Sequence, residues 1–152
     1  SFADCTDEGE GFIVTDLAGI PVPPAAGTPT REVALHAMLY GLLPNLGGVM
    51  HTHSPYAIAY AFRHDVLPMT TWHVQLKFGC DIPVLSIPSP MVRPQDLPLV
   101  QALLDENPKL PAFLLRGHGI VALGRDVLEA EHNAELVEET AKIAVLKELL
   151  EK

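Results

Sequence analysis

Two histidines separated by a single residue constrain this chain more than any other feature of its sequence. His51 and His53 lie at the end of a short apolar run, Val49 to His53, which follows two glycines and precedes Ser54-Pro55. This run is typical of a β-strand, and side chains alternate between the two faces of a strand, so both imidazoles point to the same side. Two imidazoles on one face at a strand end supply half of the ligands of a transition-metal site.

A third histidine stands in a similar context. His118 follows the apolar run Ala112 to Arg116 and is flanked by Gly117 and Gly119. Three neutral imidazoles leave one coordination position free, and an open position lets a bound metal take part in chemistry. The alternative is that each histidine serves packing or solvation. That alternative is favoured for the histidines without such a context, namely His64, His73 and His132.

Composition limits the classes of protein to consider. The chain has 152 residues, of which 48% are hydrophobic and 19% charged, as expected for one folded domain spanning residues 1–152. The net charge of −9 argues against a nucleic-acid partner, which needs a basic surface. No apolar run reaches the length of a membrane span and no signal-peptide pattern appears, so no membrane partner is expected. The distant Cys5 and Cys80 fit a reduced, cytoplasmic setting.

Strands alternate with helices along the chain, which predicts a layered α/β domain. The predicted strands cover residues 11–16, 49–53, 66–71, 83–87, 112–116 and 119–123. The predicted helices cover residues 29–43, 55–63, 94–106 and 127–152, and residues 72–80 fit neither pattern clearly. In the last helix, five residues at helical spacing are predicted to face the core: Leu128, Leu136, Ile143, Leu146 and Leu150. Its charged face, which includes Glu131, Glu135 and Glu138, is predicted to be solvated.

One carboxylate is placed near the start of the first predicted helix. Thr28 and Pro29 are good residues for a helix start, which puts Glu32 in the first turn. His36 follows one turn later on the same face and is expected to pack. Without the histidines, Glu32 would be read as a carboxylate that the positive end of a helix dipole favours.

Three blocks of the chain resemble the class II aldolase/adducin family. Residues 29–36 (Pro-Thr-Arg-Glu-Val-Ala-Leu-His) are similar to the family's Pro-Ser-Ser-Glu-x-x-x-His block, residues 51–57 to its His-x-His strand end, and residues 114–119 to its third-histidine block. The order and separations agree over the whole chain. The resemblance implies a single three-layer α/β/α domain, with a central, mostly antiparallel sheet flanked by helices. Upstream phosphate-binding segments of the family have no match, so the chain is expected to lack the N-terminal part of that fold.

The resemblance also implies a function. By this likeness His51, His53 and His118 bind a divalent transition metal, usually Zn²⁺, and Glu32 is the catalytic acid/base. The expected activity is that of a metal-dependent lyase, an aldolase that cleaves a small sugar phosphate or related hydroxy-carbonyl compound through a metal-stabilised enediolate. A homotetramer is the expected assembly.

Two alternatives to the aldolase remain. An epimerase or a decarboxylase would use the same metal site. A non-catalytic, adducin-like interaction domain would keep the fold alone, but domains of that type lose the histidines that this chain retains.

Overall fold

A five-stranded sheet lies at the centre of the computed structural model, which describes residues 12–22 and 27–151. The strands are β1 (Gly48–Thr52), β2 (Val66–Leu67), β3 (Ile82–Leu85), β4 (Ala112–Leu115) and β5 (Gly119–Gly124). The helices are α1 (Val33–Leu42), α2 (Pro55–Ala61), α3 (Trp72–Phe78), α4 (Leu97–Glu106) and α5 (Val127–Leu150). Residues 72–80, which fitted neither pattern in the sequence, contain α3, and the predicted strand 66–71 is reduced to β2.

The order of the strands brings distant parts of the chain to one end of the sheet. The order is β1-β5-β4-β3-β2, and every neighbouring pair is antiparallel except β3 and β4. Thr52 pairs with Ile120, and Leu115 pairs with Gly119. The end of β1 therefore lies beside the turn that joins β4 to β5.

Both faces of the sheet are covered, which gives the predicted three layers. Ala112 and Leu114 of β4 pack into the cluster that contains residues of α2 and α5, whereas Phe113 and Leu115 pack into the cluster of α1 and α4. All four side chains are at most 2% exposed. Burying a large apolar side chain stabilises a fold by about 1.5–3 kcal/mol. Because successive side chains of β4 pack on opposite faces, this strand attaches both helical layers to the sheet. The predicted fold class, mostly antiparallel and flanked by helices, is confirmed.

The start of the first helix was predicted too early. Helix α1 begins at Val33, and Glu32 occupies the position before it rather than the first turn. The hydroxyl of Thr30 accepts a hydrogen bond from the Glu32 N–H at 3.3 Å, and the Thr30 carbonyl accepts one from Val33 at 3.2 Å. These bonds form a turn that takes the place of the predicted first helical turn. The predicted strand 11–16 is also wrong for its described residues, which contribute a single bridge between Thr15 and Pro21; Gly11 lies outside the described residues.

The buried face of α5 differs from the predicted leucine stripe. Leu128, Leu146 and Leu150 are 73%, 43% and 87% exposed, although Leu136 is buried as predicted. The buried face consists mainly of small residues: Ala130, Asn133, Ala134, Val137, Thr140, Ala141 and Ala144. The reason is close packing, because a Cβ on Gly124 would lie 2.4 Å from the backbone nitrogen of Ala130. Within the described ranges, neither α5 nor any other helix combines the length and apolarity that a membrane crossing requires.

Candidate metal centre

The end of β1 and the turn between β4 and β5 meet at one end of the sheet and bring the three predicted histidines together. His51 is on β1, His53 follows the last residue of that strand, and His118 is in the β4–β5 turn. Each offers one ring nitrogen, and these three nitrogens all lie within 4.8 Å of one another. In residues 12–22 and 27–151 this is the single such group of three or more histidine, cysteine or acidic side chains. The group is therefore able to hold a metal ion.

The glycines around His118 allow its turn to approach β1. The His118 N–H donates to the Leu115 carbonyl at 3.0 Å, which closes a tight turn, and Gly117 within it has a φ of 69°. That conformation is costly for residues with a Cβ. On the other side, a Cβ on Gly119 would lie 2.0 Å from the carbonyl oxygen of Thr52. Glycine on both sides of His118 thus permits the close approach of the two histidine-bearing segments.

A backbone hydrogen bond fixes the orientation of the His51 ring. Its Nδ1 lies 2.9 Å from the Ile120 carbonyl oxygen. A carbonyl only accepts hydrogen bonds, so Nδ1 carries the proton and Nε2 presents its lone pair. This Nε2 lies 3.3 Å from Nε2 of His118. Two nitrogens bound about 2.05 Å from a tetrahedral Zn²⁺ would be about 3.3 Å apart, so the pair has the spacing of neighbouring zinc ligands.

Burial keeps the two less exposed rings neutral. It lowers the pKa of His51 to about 4. The hydrogen bond to Ile120 acts in the opposite direction, and the repulsion that His51 would experience from protonated His118, His53 or His36 adds to the lowering. Burial also lowers the pKa of His118, and the negative charge of Glu32 acts in the opposite direction. Neutral imidazole is the form that binds metals, so these two rings are ready to act as ligands at neutral pH.

Glu32 lies close to this cluster and is buried. Its side chain is 5% exposed, and one carboxylate oxygen accepts a hydrogen bond from the Val92 N–H at 3.2 Å. Its negative charge acts on His118 and opposes the lowering of the pKa of that ring by burial, although Glu32 is not part of the group whose ligand atoms all lie within 4.8 Å of one another. Glutamate is rarely buried unless it is paired, so a buried carboxylate that interacts electrostatically with one of the three imidazoles is a candidate functional group.

The remaining histidines lie outside the cluster, as expected. His36 is half-buried one turn after Glu32, and burial lowers its pKa. His64 lies 2.7 Å from a carboxylate oxygen of Glu148, and His132 lies 3.9 Å from one of Glu135. His73 is exposed on α3. None belongs to the group that can hold a metal.

Sequence reasoning missed two charged residues that contact the segments around the histidines. Glu138 was assigned to a solvated face, but its two oxygens accept hydrogen bonds from the N–H groups of Tyr56 and Ala57. No local pattern could reveal this contact, because it spans more than eighty residues. The second is Arg116, whose guanidinium binds Ser86, Ala61 and Asp65. The sequence feature that could have pointed to Arg116 is its position two residues before the predicted ligand His118.

Comparisons with known proteins agree with this architecture. The chain matches an L-fuculose 1-phosphate aldolase (25% identity, TM-score 0.82, covering 99% of this chain and 68% of that one). It also matches the L-fuculose-1-phosphate aldolase of Thermus thermophilus (25% identity, TM-score 0.65, covering 83% of this chain and 67% of that one). A third match is YgbL of Klebsiella pneumoniae (32% identity, TM-score 0.66, covering 84% of this chain and 60% of that one). The assignment of YgbL as an aldolase, epimerase or decarboxylase is itself provisional. The chain thus spans about two thirds or less of the length of these relatives.

The family assignment rests on most of the chain. Residues 1–145 match the model described as Class II Aldolase and Adducin N-terminal domain. The matched region contains His51, His53, His118, Glu32 and most of α5. The chain belongs to the class II aldolase and adducin family.

Proposed function

We propose that this chain forms the metal centre of a lyase that cleaves a carbon–carbon bond in a small sugar phosphate or a related hydroxy-carbonyl compound. His51, His53 and His118 are the metal ligands in this proposal, with Zn²⁺ as the first candidate ion. The observation that carries the proposal is the meeting of three ring nitrogens within 4.8 Å, together with a buried carboxylate, Glu32, whose charge acts on His118. Three protein ligands with a free position are typical of catalytic zinc sites.

The ligand set suits the chemistry of this bond cleavage. A divalent cation, when bound, supplies electrostatic stabilisation of the negative charge that develops on oxygen as a bond next to a carbonyl breaks. The chain's own contribution is orientation. The Ile120 carbonyl holds the proton of His51 on Nδ1, so that Nε2 stays free. The turn between β4 and β5 presents His118 to it at 3.3 Å.

Glu32 is the proposed acid/base. Cleavage removes a proton from the hydroxyl that becomes the aldehyde oxygen and adds one to the carbon atom from which the aldehyde departs. A carboxylate at the site can take up a proton and, as the carboxylic acid, deliver it to that carbon. The Val92 N–H donates a hydrogen bond to one oxygen of Glu32, which restrains the orientation of the carboxylate. Burial of Glu32 excludes water, which strengthens its interaction with charge at the site.

A second candidate function is an epimerase or decarboxylase that uses the same residues. The observation in its favour is the 32% identity to YgbL, for which all three activities are under consideration. A binding module without catalysis is disfavoured, because three convergent imidazoles next to a buried carboxylate have no evident role in a docking surface. The two L-fuculose-1-phosphate aldolases among the relatives favour the lyase and a phosphorylated ketose as substrate.

The test combines metal content with product analysis. We expect the wild-type chain and Glu32→Gln to bind about one Zn²⁺ each, because glutamine keeps an acceptor for the Val92 N–H. Glu32→Gln should lose about 10²- to 10⁴-fold in turnover of ketose phosphates, since its amide cannot transfer the proton. His132→Ala, which alters an exposed histidine of α5, is the control and should keep both properties. An aldehyde product identifies the lyase, and an epimer or CO₂ identifies the alternatives. Failure of the wild-type chain to take up any divalent transition metal would contradict the proposal.

A further inference from the structure

Helix α2 connects the two parts of the candidate metal centre. It begins at Pro55, two residues after His53, and ends at Ala61. The Ala61 carbonyl accepts a hydrogen bond from the guanidinium of Arg116, which is two residues before His118. One short helix thus runs from the segment that carries His53 to the turn that carries His118.

The start of α2 is held by a residue from another helix. Ser54 occupies the N-cap position but its side chain makes no capping bond, and its hydroxyl lies 2.8 Å from that of Thr52. In its place the carboxylate of Glu138 on α5 accepts from the N–H groups of Tyr56 and Ala57 at 3.0 and 2.9 Å. A carboxylate at this end of a helix satisfies free N–H groups and also interacts favourably with the helix dipole.

The end of α2 is held by Arg116, which lies in the β4–β5 turn. The three nitrogens of the Arg116 guanidinium bind three partners: Nε donates to the Ser86 hydroxyl at 2.8 Å, and the other two donate to the Ala61 carbonyl and the Asp65 carboxylate. The Arg116 backbone N–H also donates to the Leu85 carbonyl at 2.9 Å. A planar guanidinium with several partners fixes geometry in a way that a lysine cannot.

His53 is the ligand that most needs such support. His51 lies within β1, and its ring is oriented by the Ile120 carbonyl. His53 lies beyond the last strand residue and is exposed. Its backbone position depends on α2, a seven-residue helix that is too short to be stable by itself.

We propose that Arg116 and Glu138 are positioning residues. They make α2 a brace between the end of β1 and the β4–β5 turn, and so set the distance from His53 to His118. This inference rests on the proposed metal site and extends it to residues that do not touch the metal. Outer partners of metal ligands typically contribute 10- to 100-fold to metal affinity, and the brace acts in the same sense through the backbone.

The sign of the effect separates positioning from simple electrostatics. Removal of a positive charge near a cation site should tighten binding of the cation if charge alone mattered. Loss of the brace should weaken binding instead. Arg116→Gln therefore has opposite expected outcomes under the two explanations.

The experiment measures Co²⁺ affinity of the full chain by competition with a chelating dye, together with the visible absorption of the bound Co²⁺, which reports its coordination geometry. We expect about 10-fold weaker binding for Arg116→Gln and for Glu138→Gln, with a changed absorption spectrum. The double variant should lose less than the product of the two single losses, because both residues act through α2. Arg116→Lys keeps the charge and should still bind weakly, and it also covers the case in which Arg116→Gln does not fold.

A matched control is Arg125→Gln. Arg125 also forms a forked contact with a carboxylate, that of Glu129, but next to the opposite end of β1 and β5. It should leave Co²⁺ affinity and the absorption spectrum unchanged, and thermal unfolding of the metal-free variants shows whether general loss of stability explains any difference. Unchanged or tighter Co²⁺ binding in Arg116→Gln and Glu138→Gln, with normal binding by the wild-type chain, would overturn the brace alone. A wild-type chain that binds no Co²⁺ would overturn the metal site and the brace together.

Discussion

Gly119→Ala is the substitution for which the structure gives the sharpest expected cost. The new Cβ would lie 2.0 Å from the Thr52 carbonyl oxygen and 3.2 Å from the His53 Cα, at a φ of 157° that side chains rarely adopt. Since such contacts are essentially never shorter than 3.0 Å, β1 and β5 must separate by about 1 Å at this point. The contact is to backbone, so no side-chain rotation can relieve it.

The cost follows from what the separation breaks. Opening the end of the β1–β5 ladder weakens one or two backbone hydrogen bonds, each worth about 1 kcal/mol, and adds strain of about 1–3 kcal/mol. We expect a loss of about 2–4 kcal/mol in the free energy of unfolding. For a domain of this size that corresponds to a fall in Tm of about 4–16 °C. The same movement separates His53 from His118, so metal affinity should fall as well.

The control for this substitution is another glycine in a regular element. A Cβ on Gly41, which lies in α1, meets nothing within 4 Å. Gly41→Ala should therefore raise the stability by about 0.5–1 kcal/mol, since alanine favours the helix. Thermal unfolding of both variants, with and without Zn²⁺, gives the comparison. A Gly119→Ala variant with the Tm and Zn²⁺ affinity of the wild type would refute the reasoning.

Two further predictions concern metal removal and pH. Free Zn²⁺ at about 100 times its dissociation constant should stabilise the chain by about 2.7 kcal/mol, a rise in Tm of about 5–11 °C, whereas His118→Ala should show almost none of this rise; an equal shift in both would argue against ligation by His118. The second concerns Glu129, whose pKa is lowered from 4.5 to about 2 by the side-chain hydrogen bond with Arg125 and by the Arg125 backbone N–H. Because the folded pKa is the lower one, this carboxylate stabilises the fold above about pH 4.5 and the contribution is lost as the pH falls toward 2. Denaturant midpoints at about pH 5 and about pH 3 should therefore differ less in Glu129→Gln than in the wild type or in Glu131→Gln, an exposed neighbour on the same helix; an unchanged difference would contradict the assignment.

The grouping of the histidines could be predicted because it depends on local geometry. A strand places His51 and His53 on one side, and a glycine-flanked turn after a second strand presents His118. The pairing of the strands was not predicted, but any sheet that joins these two strand ends brings the rings together. Glu32 was located near the site by the resemblance to a family, and its exact position before α1 depends on a turn closed by Thr30.

Features that depend on tertiary packing were not predictable. The leucines of α5 follow a helical spacing, yet the packed face consists of alanines because Gly124 brings the strand against the helix backbone. Helical spacing identifies an amphipathic helix but does not say which of two apolar faces lies closer to the sheet. Similarly, Glu138 has the same sequence context as its exposed neighbours Glu135 and Glu139, and only its contact with α2 distinguishes it.

The burial of Glu32 links the fold to the proposed chemistry. Moving a carboxylate out of water costs several kcal/mol even after the protein relaxes, whereas a hydrogen bond to a charged group returns about 1.5–3 kcal/mol. The bond from the Val92 N–H and the positive end of α1, which begins at the next residue, therefore offset only part of the cost, and the neutral imidazoles of His51 and His118 contribute no positive charge. A divalent cation held by the three histidines would supply the missing compensation. On this argument Glu32→Gln removes a destabilising charge from the metal-free chain, so we expect it to raise the Tm without metal and to reduce the additional rise that Zn²⁺ produces.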